Sequence, residues 1–170
     1  PGGHGVSWSA GALIAFATNE IYLAPGTSVG AATPVIQSPQ GQEEASEKTV
    51  SAVRAQMAAL AERNGHPPAV ARAMVDASVE LIAAEVNGEL RLLTASELEN
   101  LEGREAVTVT RLETVSETGK LLTLTAGQME RFGISRGSPT DREELTERLG
   151  IAGFELLEAT TMDRIVAAIT

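Results

Sequence analysis

The chain has no cysteine, two histidines and only five aromatic residues (one Trp, one Tyr, three Phe) among its 170 residues. Without cysteine there is no disulfide, no thiolate nucleophile and no thiolate metal ligand. The redox compartment stays open, because a periplasmic protein need not carry cystines. His4 and His66 alone do not make a conventional zinc site. Cations are scarce: 13 Lys and Arg against 23 Asp and Glu leave a net charge of −10. Such a surface repels duplex nucleic acid and gives no charge-driven attraction to an anionic membrane. The longest apolar candidate, Ala10 to Ala17, is followed by Asn19 and Glu20 and falls short of the roughly 18 residues that read as a bilayer span. No basic leader with a cleavage signature is seen. Carboxylate pairs for sugar chemistry, Walker loops and Gly-rich dinucleotide turns are missing as well. No cofactor and no metal are expected.

What remains is a globular composition, 43% apolar, long enough to bury a core of Leu, Ile, Val and Ala. Pro1 to Val6 reads as a glycine-rich lead-in and Ser9 to Ala17 as a small-residue helix. Ile21 to Ala24 reads as a short strand, Pro25-Gly26-Thr27 as a turn, and Val29 to Pro34 as a second extended stretch in which Gly30 allows close backbone approach. Gln37 to Glu47 reads as a polar, mobile loop. Glu47 to Asn64 is an amphipathic helix with Val50, Val53, Met57, Leu60 and Ala61 on one face. Pro67 or Pro68 starts another helix, to about Ala77.

Val79 to Leu93 reads as a β-hairpin around Asn87-Gly88, the pair that a type I′ turn favours. Thr94 with Glu97 makes a capping box for a short helix ending near Gly103. Val107 to Val115 and Lys120 to Leu124 are strands. Thr125 caps a helix stopped by Gly133, and Thr140 with Glu143 caps one ending at Gly150. A strand (Phe154 to Glu158) and a helix (Met162 to Ile169) close the chain. LRLLTASELENLEG and KLLTLTAGQMERFG echo each other: strand, threonine cap, short helix, glycine stop. Repeated strand–helix units point to an α/β layer architecture.

The chemistry concentrates in SAGALIAFATNEIYLAPGTSVGAATPV, residues 9–35. Ser9 stands at a helix mouth, where free N–H groups and the positive dipole end favour developing negative charge. It is either a nucleophile or an N-cap. Thirty-nine residues on, Lys48 opens the helix of SEKTVSAVRAQMAALAERNG, and a serine with a lysine base is a known hydrolytic pairing. That pairing needs an exposed Ser9, a desolvated Lys48 and an oxyanion hole of backbone N–H groups. Glu43, Glu44 and Glu47, near Lys48 in sequence, would hold its proton on; the competing reading of Lys48 is a solvated first-turn residue. Ser7 is a rival nucleophile further from the helix start. Gly2-Gly3-His4-Gly5 is either a small anion nest or a flexible terminus. His66 reads as a loop residue. Trp8 lines a substrate groove or anchors the chain start. Glu143, Glu144 and Glu147 read as a solvated helix face.

In the order Ser-Ala-Gly helix start, I-Y-x-A-P-G-T strand–turn and G-A-A-x-P-V strand, the chain resembles the NfeD long-form family. These are membrane-bound ClpP-class serine proteases encoded beside stomatin-like proteins. The likeness continues at EKTVSAVRAQMAALAERNGH, AMVDASVEL and GKLLTLTAGQMERFGIS, nearly the whole chain. It implies an α/β, ClpP/crotonase-like fold of repeated ββα units, with residues 1–170 as one protease-like domain. It places Ser9 at the nucleophile position and Lys48 at the general-base position, on the extracytoplasmic side of a membrane. The implied substrate is a peptide or a membrane protein, such as a stomatin-like partner cleaved in its hydrophobic segments.

Two features depart from the family pattern. Only a few residues separate Gly3 from Ser9, so Gly2-Gly3 is not the family's oxyanion turn. The chain reads as an excised segment lacking the first strands and the anchoring segments. Trp8 stands where the family has a small residue. An exposed sheet edge then predicts self-association into a homo-oligomer. Two further readings share the fold: a non-catalytic module docking a membrane-protein partner, with Ser9 only a cap, and an acyl-CoA enzyme, for which no binding feature is present.

Overall fold

The computed structural model describes residues 6–39 and 41–153. The expected closing strand and helix, and Gly2-Gly3-His4-Gly5, lie outside them. The described chain falls into two compact units that divide between Ser138 and Pro139.

In the first unit, a strand precedes the small-residue helix: β1 (Val6–Trp8) runs through Ser9 into α1 (Ala10–Phe16). β2 (Ser28–Gly30) lies parallel to β1, with Trp8 opposite Gly30. The segment expected as a strand at Ile21 to Ala24 is not one. It is extended chain with Ile21 and Leu23 buried. Its backbone bonds to an irregular partner: the Ile21 carbonyl accepts from Arg136 N–H at 2.9 Å and Leu23 N–H donates to the Gly137 carbonyl at 3.4 Å. Alternation announced a half-buried backbone, but the partner lacks strand geometry.

The polar stretch expected as a loop instead pairs with itself. β3 (Val35–Ser38) and β4 (Gly41–Glu44) form an antiparallel hairpin, with Val35 and Ile36 more than half exposed. Short polar hairpins give no periodic apolar signal, which is why composition suggested a loop. α2 (Glu47–Arg63) follows, capped by Ser46, whose Oγ accepts from Thr49 N–H. Val50, Met57 and Ala61 are buried on its inner face, as the spacing predicts. α3 (Pro68–Val75) is buried nearly all round, from Ala69 to Val75 with only Arg72 reaching out.

β5 (Leu81–Val86) and β6 (Glu89–Thr94) form the expected hairpin. Asn87 at φ 53° and Gly88 at φ 85° supply the two positive angles of a type I′ turn. α4 (Ala95–Glu102) carries the Thr94–Glu97 capping box. β7 (Val109–Ser116) flanks β5 on its other side, so the sheet order is β6-β5-β7. β5 is therefore paired along both edges, and it is buried on both faces as well. Leu81 and Ala83 enter the main core with α3 and Phe16, and the intervening Ile82, Ala84 and Val86 enter a second cluster with Leu98 of α4. β8 (Thr123–Thr125) pairs antiparallel with β2 and leads through the Thr125–Gln128 capping box into α5 (Ala126–Arg131). The two echoing segments thus repeat one local design.

His66 lies in the loop between α2 and α3, as expected, but is buried against the core. It is 7% exposed, edge-on to Phe16 with centroids 5.5 Å apart. Its Nε2 lies 2.7 Å from the Thr18 carbonyl, which can only accept, so Nε2 carries the proton.

The described part of the second unit is α6 (Arg142–Leu149) and its flanks. Its cap is Asp141, one residue later than expected, because a carboxylate competes better than a threonine hydroxyl for the free N–H groups. Glu144 accepts from Thr140 N–H at 2.8 Å, Arg148 at 2.7 Å and Thr140 Oγ1 at 2.9 Å. The Thr140 backbone bond first, then Arg148 and the Thr140 hydroxyl, pull its carboxyl down to about 2. A depressed carboxyl stabilises the fold above the ordinary value near 4.5, and that contribution is lost as pH falls through about 2. We expect an NMR titration of the Glu144 side-chain carbonyl to show a midpoint near 2, with α6 amides losing protection over the same range. A midpoint above 4 would mean that these bonds do not persist in solution.

Candidate functional site

Ser9 is held in a conformation that L-residues avoid, φ 54° and ψ −122°, between the end of β1 and the start of α1. This is a sharp strand-to-helix turn, the backbone arrangement that pushes a nucleophile's hydroxyl out at the top of a sheet. The side chain is exposed and makes no cap hydrogen bond. Ser9 thus stands at the helix N-cap position, but its hydroxyl bonds nothing in the helix it precedes.

Three local features hold the turn. Ser9 N–H points back to the Gly30 and Ala31 carbonyls, 3.2 Å from each. Gly11 lies so close to Ser7 that a Cβ on it would sit 2.8 Å from Ser7 Oγ. The spacing Ser7-x-Ser9-x-Gly11 thus places small residues two before and two after the turn, as such elbows require. Ser7 is a packing partner of the turn, not its apex. Finally, the Ala10 and Gly11 N–H groups have no hydrogen-bond partner among the described residues. The N–H after the apex is where an elbow supplies an oxyanion donor.

The Gly30-Ala31-Ala32 segment is the brace behind this turn. Gly30 has φ 147° and Ala31 φ 43°. Ala31 N–H donates to the Leu122 carbonyl at 3.0 Å and Ala32 N–H to the Met74 carbonyl at 2.7 Å. Thr33 Oγ1 donates to the Val75 carbonyl at 2.6 Å. The C-terminal carbonyls of buried α3 are thereby satisfied by the strand that fixes the Ser9 amide. These positioning roles were not assigned from sequence beyond Gly30; the G-A-A run was the available signal.

Lys48 is the second residue of α2 and is exposed. Helices α1 and α2 contribute Ala12, Phe16, Val50, Met57 and Ala61 to one core, so the two candidate residues sit on elements that pack together. Among the described residues no hydrogen bond or ion pair engages Lys48 or joins it to Ser9. Trp8, 52% exposed, donates its indole N–H to Ser28 Oγ at 3.1 Å, which ties the ring to β2 beside the turn. Clusters of His, Asp and Glu able to hold a metal ion are not found among the described residues.

The family model described as NfeD1b, N-terminal domain, matches residues 5–115, from just before the Ser9 elbow to the end of β7. The chain belongs to the NfeD1b N-terminal domain family. No curated protein matches it. Two solved structures of 1510-N, a membrane-bound stomatin-specific protease, are similar in fold. One is a lysine-to-alanine variant in complex with a substrate peptide: TM-score 0.62, 18% identity, 99% of this chain and 67% of that one. The other is a serine-to-alanine variant: TM-score 0.55, 19% identity, 87% of this chain and 52% of that one. The NfeD1b domain therefore has a mixed α/β fold resembling the 1510-N protease domain, ClpP/crotonase-like as expected. No helix among its described residues is long and apolar enough to cross a membrane.

Proposed function

We propose that this NfeD1b domain is the peptidase part of a membrane-associated serine endopeptidase, with Ser9 as nucleophile and Lys48 as general base. The observation that carries the reading is the strained, uncapped Ser9. Backbone strain of this kind costs on the order of 1–3 kcal/mol and persists only where surrounding structure enforces it; a serine used only as a cap has no need of it.

In the proposed reaction Ser9 Oγ attacks the scissile carbonyl while neutral Lys48 Nζ takes its proton. The Ala10 N–H faces the developing oxyanion. Lys48 then returns the proton to the leaving amine, and water resolves the acyl-enzyme by the same route in reverse. A lysine serves as a base only when water is kept from it, so Lys48, exposed in the single chain, is to be covered by bound peptide or by a second copy. An extracytoplasmic location and stomatin-like substrates belong to the same proposal; 1510-N, similar in fold, is membrane-bound and stomatin-specific.

The exposure of Lys48 favours a second reading, in which the domain only docks a membrane protein. A fluorophosphonate probe separates the two. Stoichiometric labelling of Ser9, identified by peptide mass mapping and absent in Ser9→Ala, is expected for the peptidase. No labelling of the protein in its membrane-bound, oligomeric form would leave the docking module.

A further inference from the structure

A cavity of about 570 Å³ opens away from the Ser9 turn; none of its lining residues belongs to that turn. It touches all four of residues 90–93 on β6. Side chains of successive strand residues leave by opposite faces, so a cavity touching four in a row runs along the strand's edge. β6 is an outer strand of its sheet, and the backbone groups of residues 89–93 that face away from β5 have no hydrogen-bond partner among the described residues. A free edge of this kind is a template for another strand.

The walls of the cavity have a definite character. Leu90 is 46% exposed, and Leu101 and Phe132 add further apolar surface. Arg91 of β6 and Arg104, just beyond α4, line the same space. Neither makes an ion pair among the described residues. The one carboxylate there, Glu97, is already answered by Arg72 at 2.6 Å. Burial alone would raise the Glu97 carboxyl, but the Thr94 N–H and the Arg72 guanidinium outweigh it and hold the carboxyl low. Two uncompensated guanidiniums thus share one apolar-walled edge, on a chain of net charge −10.

We propose that this edge docks an extended acidic peptide, which adds as a strand along β6 with its carboxylates on Arg91 and Arg104 and apolar side chains on the other face against Leu90 and Phe132. Main-chain pairing supplies affinity in this mode, and alternate side chains supply selectivity. Arginine favours carboxylates because its fork donates to both oxygens at once. The site is independent of Ser9 chemistry and would hold a partner or a distal part of a substrate whether or not the domain cleaves it.

Fluorescence anisotropy of the intact chain tests this, using a dye-labelled, acetylated and amidated ten-residue peptide of alternating valine and glutamate. Saturable binding is expected. A valine–lysine peptide should not bind, nor should the valine–glutamate peptide N-methylated at alternate amides. Replacing both arginines (Arg91→Ala with Arg104→Ala) should weaken binding by about tenfold or more, with circular dichroism unchanged because both side chains are exposed. Equal binding of the lysine peptide, undiminished binding of the N-methylated peptide, or affinity unaffected by the double replacement would each overturn the proposal. So would absence of binding, including a case where sedimentation shows a second copy occupying the β6 edge. If the double variant does not fold, the three peptides on the unaltered chain decide the question by themselves.

Discussion

Ser9→Ala is expected to lower peptide cleavage by about 10³-fold or more, the scale of losing a nucleophile whose neighbours then retain only binding and oxyanion contacts. Lys48→Ala should fall by a similar factor, and the two losses should not add, because a nucleophile and its base act as one unit. The measurement is turnover of a fluorogenic peptide by the intact protein. A second variant makes the argument specific to the backbone. At φ 54° a glycine is relaxed where a serine is strained, so Ser9→Gly should abolish cleavage while stabilising the domain by roughly 1 kcal/mol. A residue kept for folding would show the opposite: lost stability and retained turnover. If Ser9→Ala or Lys48→Ala cleaves at the unaltered rate, the dyad is wrong. If Ser9→Gly melts lower than the unaltered chain, the strain is not there to be relieved.

The parts of this fold that were legible in the sequence are those whose causes are local. Asn87-Gly88 sets a turn by its own torsional preferences, and Thr94 with Glu97 satisfies two helix N–H groups within four residues. The inner face of α2 follows from spacing alone. The Ser9 turn was only half legible. The residue types gave a serine at a helix start, but whether its hydroxyl caps or projects depends on one torsion. That torsion is set by the carbonyls of Gly30 and Ala31, about twenty residues away. The proposed role of Lys48 was not legible from its neighbours in sequence, since desolvation is a property of what covers a residue. The β3–β4 hairpin and the Ile21–Leu23 segment escaped for a related reason. Both are defined by backbone pairing with partners that carry no strand-like composition.

Gly30→Ala should be the most damaging single methyl group that can be added to this domain's brace. A Cβ there would lie 2.3 Å from the Leu122 carbonyl oxygen and 2.6 Å from Thr123 Cα. Both are backbone atoms of the segment that pairs with β2, so no side chain can swing aside. The φ of 147° adds torsional strain to the clash. Relief requires β2 and β8 to separate, at a cost of about 3 kcal/mol or more, or a fall of roughly 10 °C in melting temperature for a chain of this size. Gly26→Ala is the control: its φ is also positive, at 79°, but nothing lies within 4 Å, so only the torsional cost of about 1 kcal/mol is expected. The two variants also part at the site. Because the Gly30 carbonyl accepts from Ser9 N–H, moving β2 releases the turn, and fluorophosphonate labelling should collapse in Gly30→Ala well below its melting temperature while persisting in Gly26→Ala. Equal melting temperatures for the two variants would show that β2 and β8 are not in close contact. Normal labelling of a destabilised Gly30→Ala would show that the Ser9 turn stands without its brace.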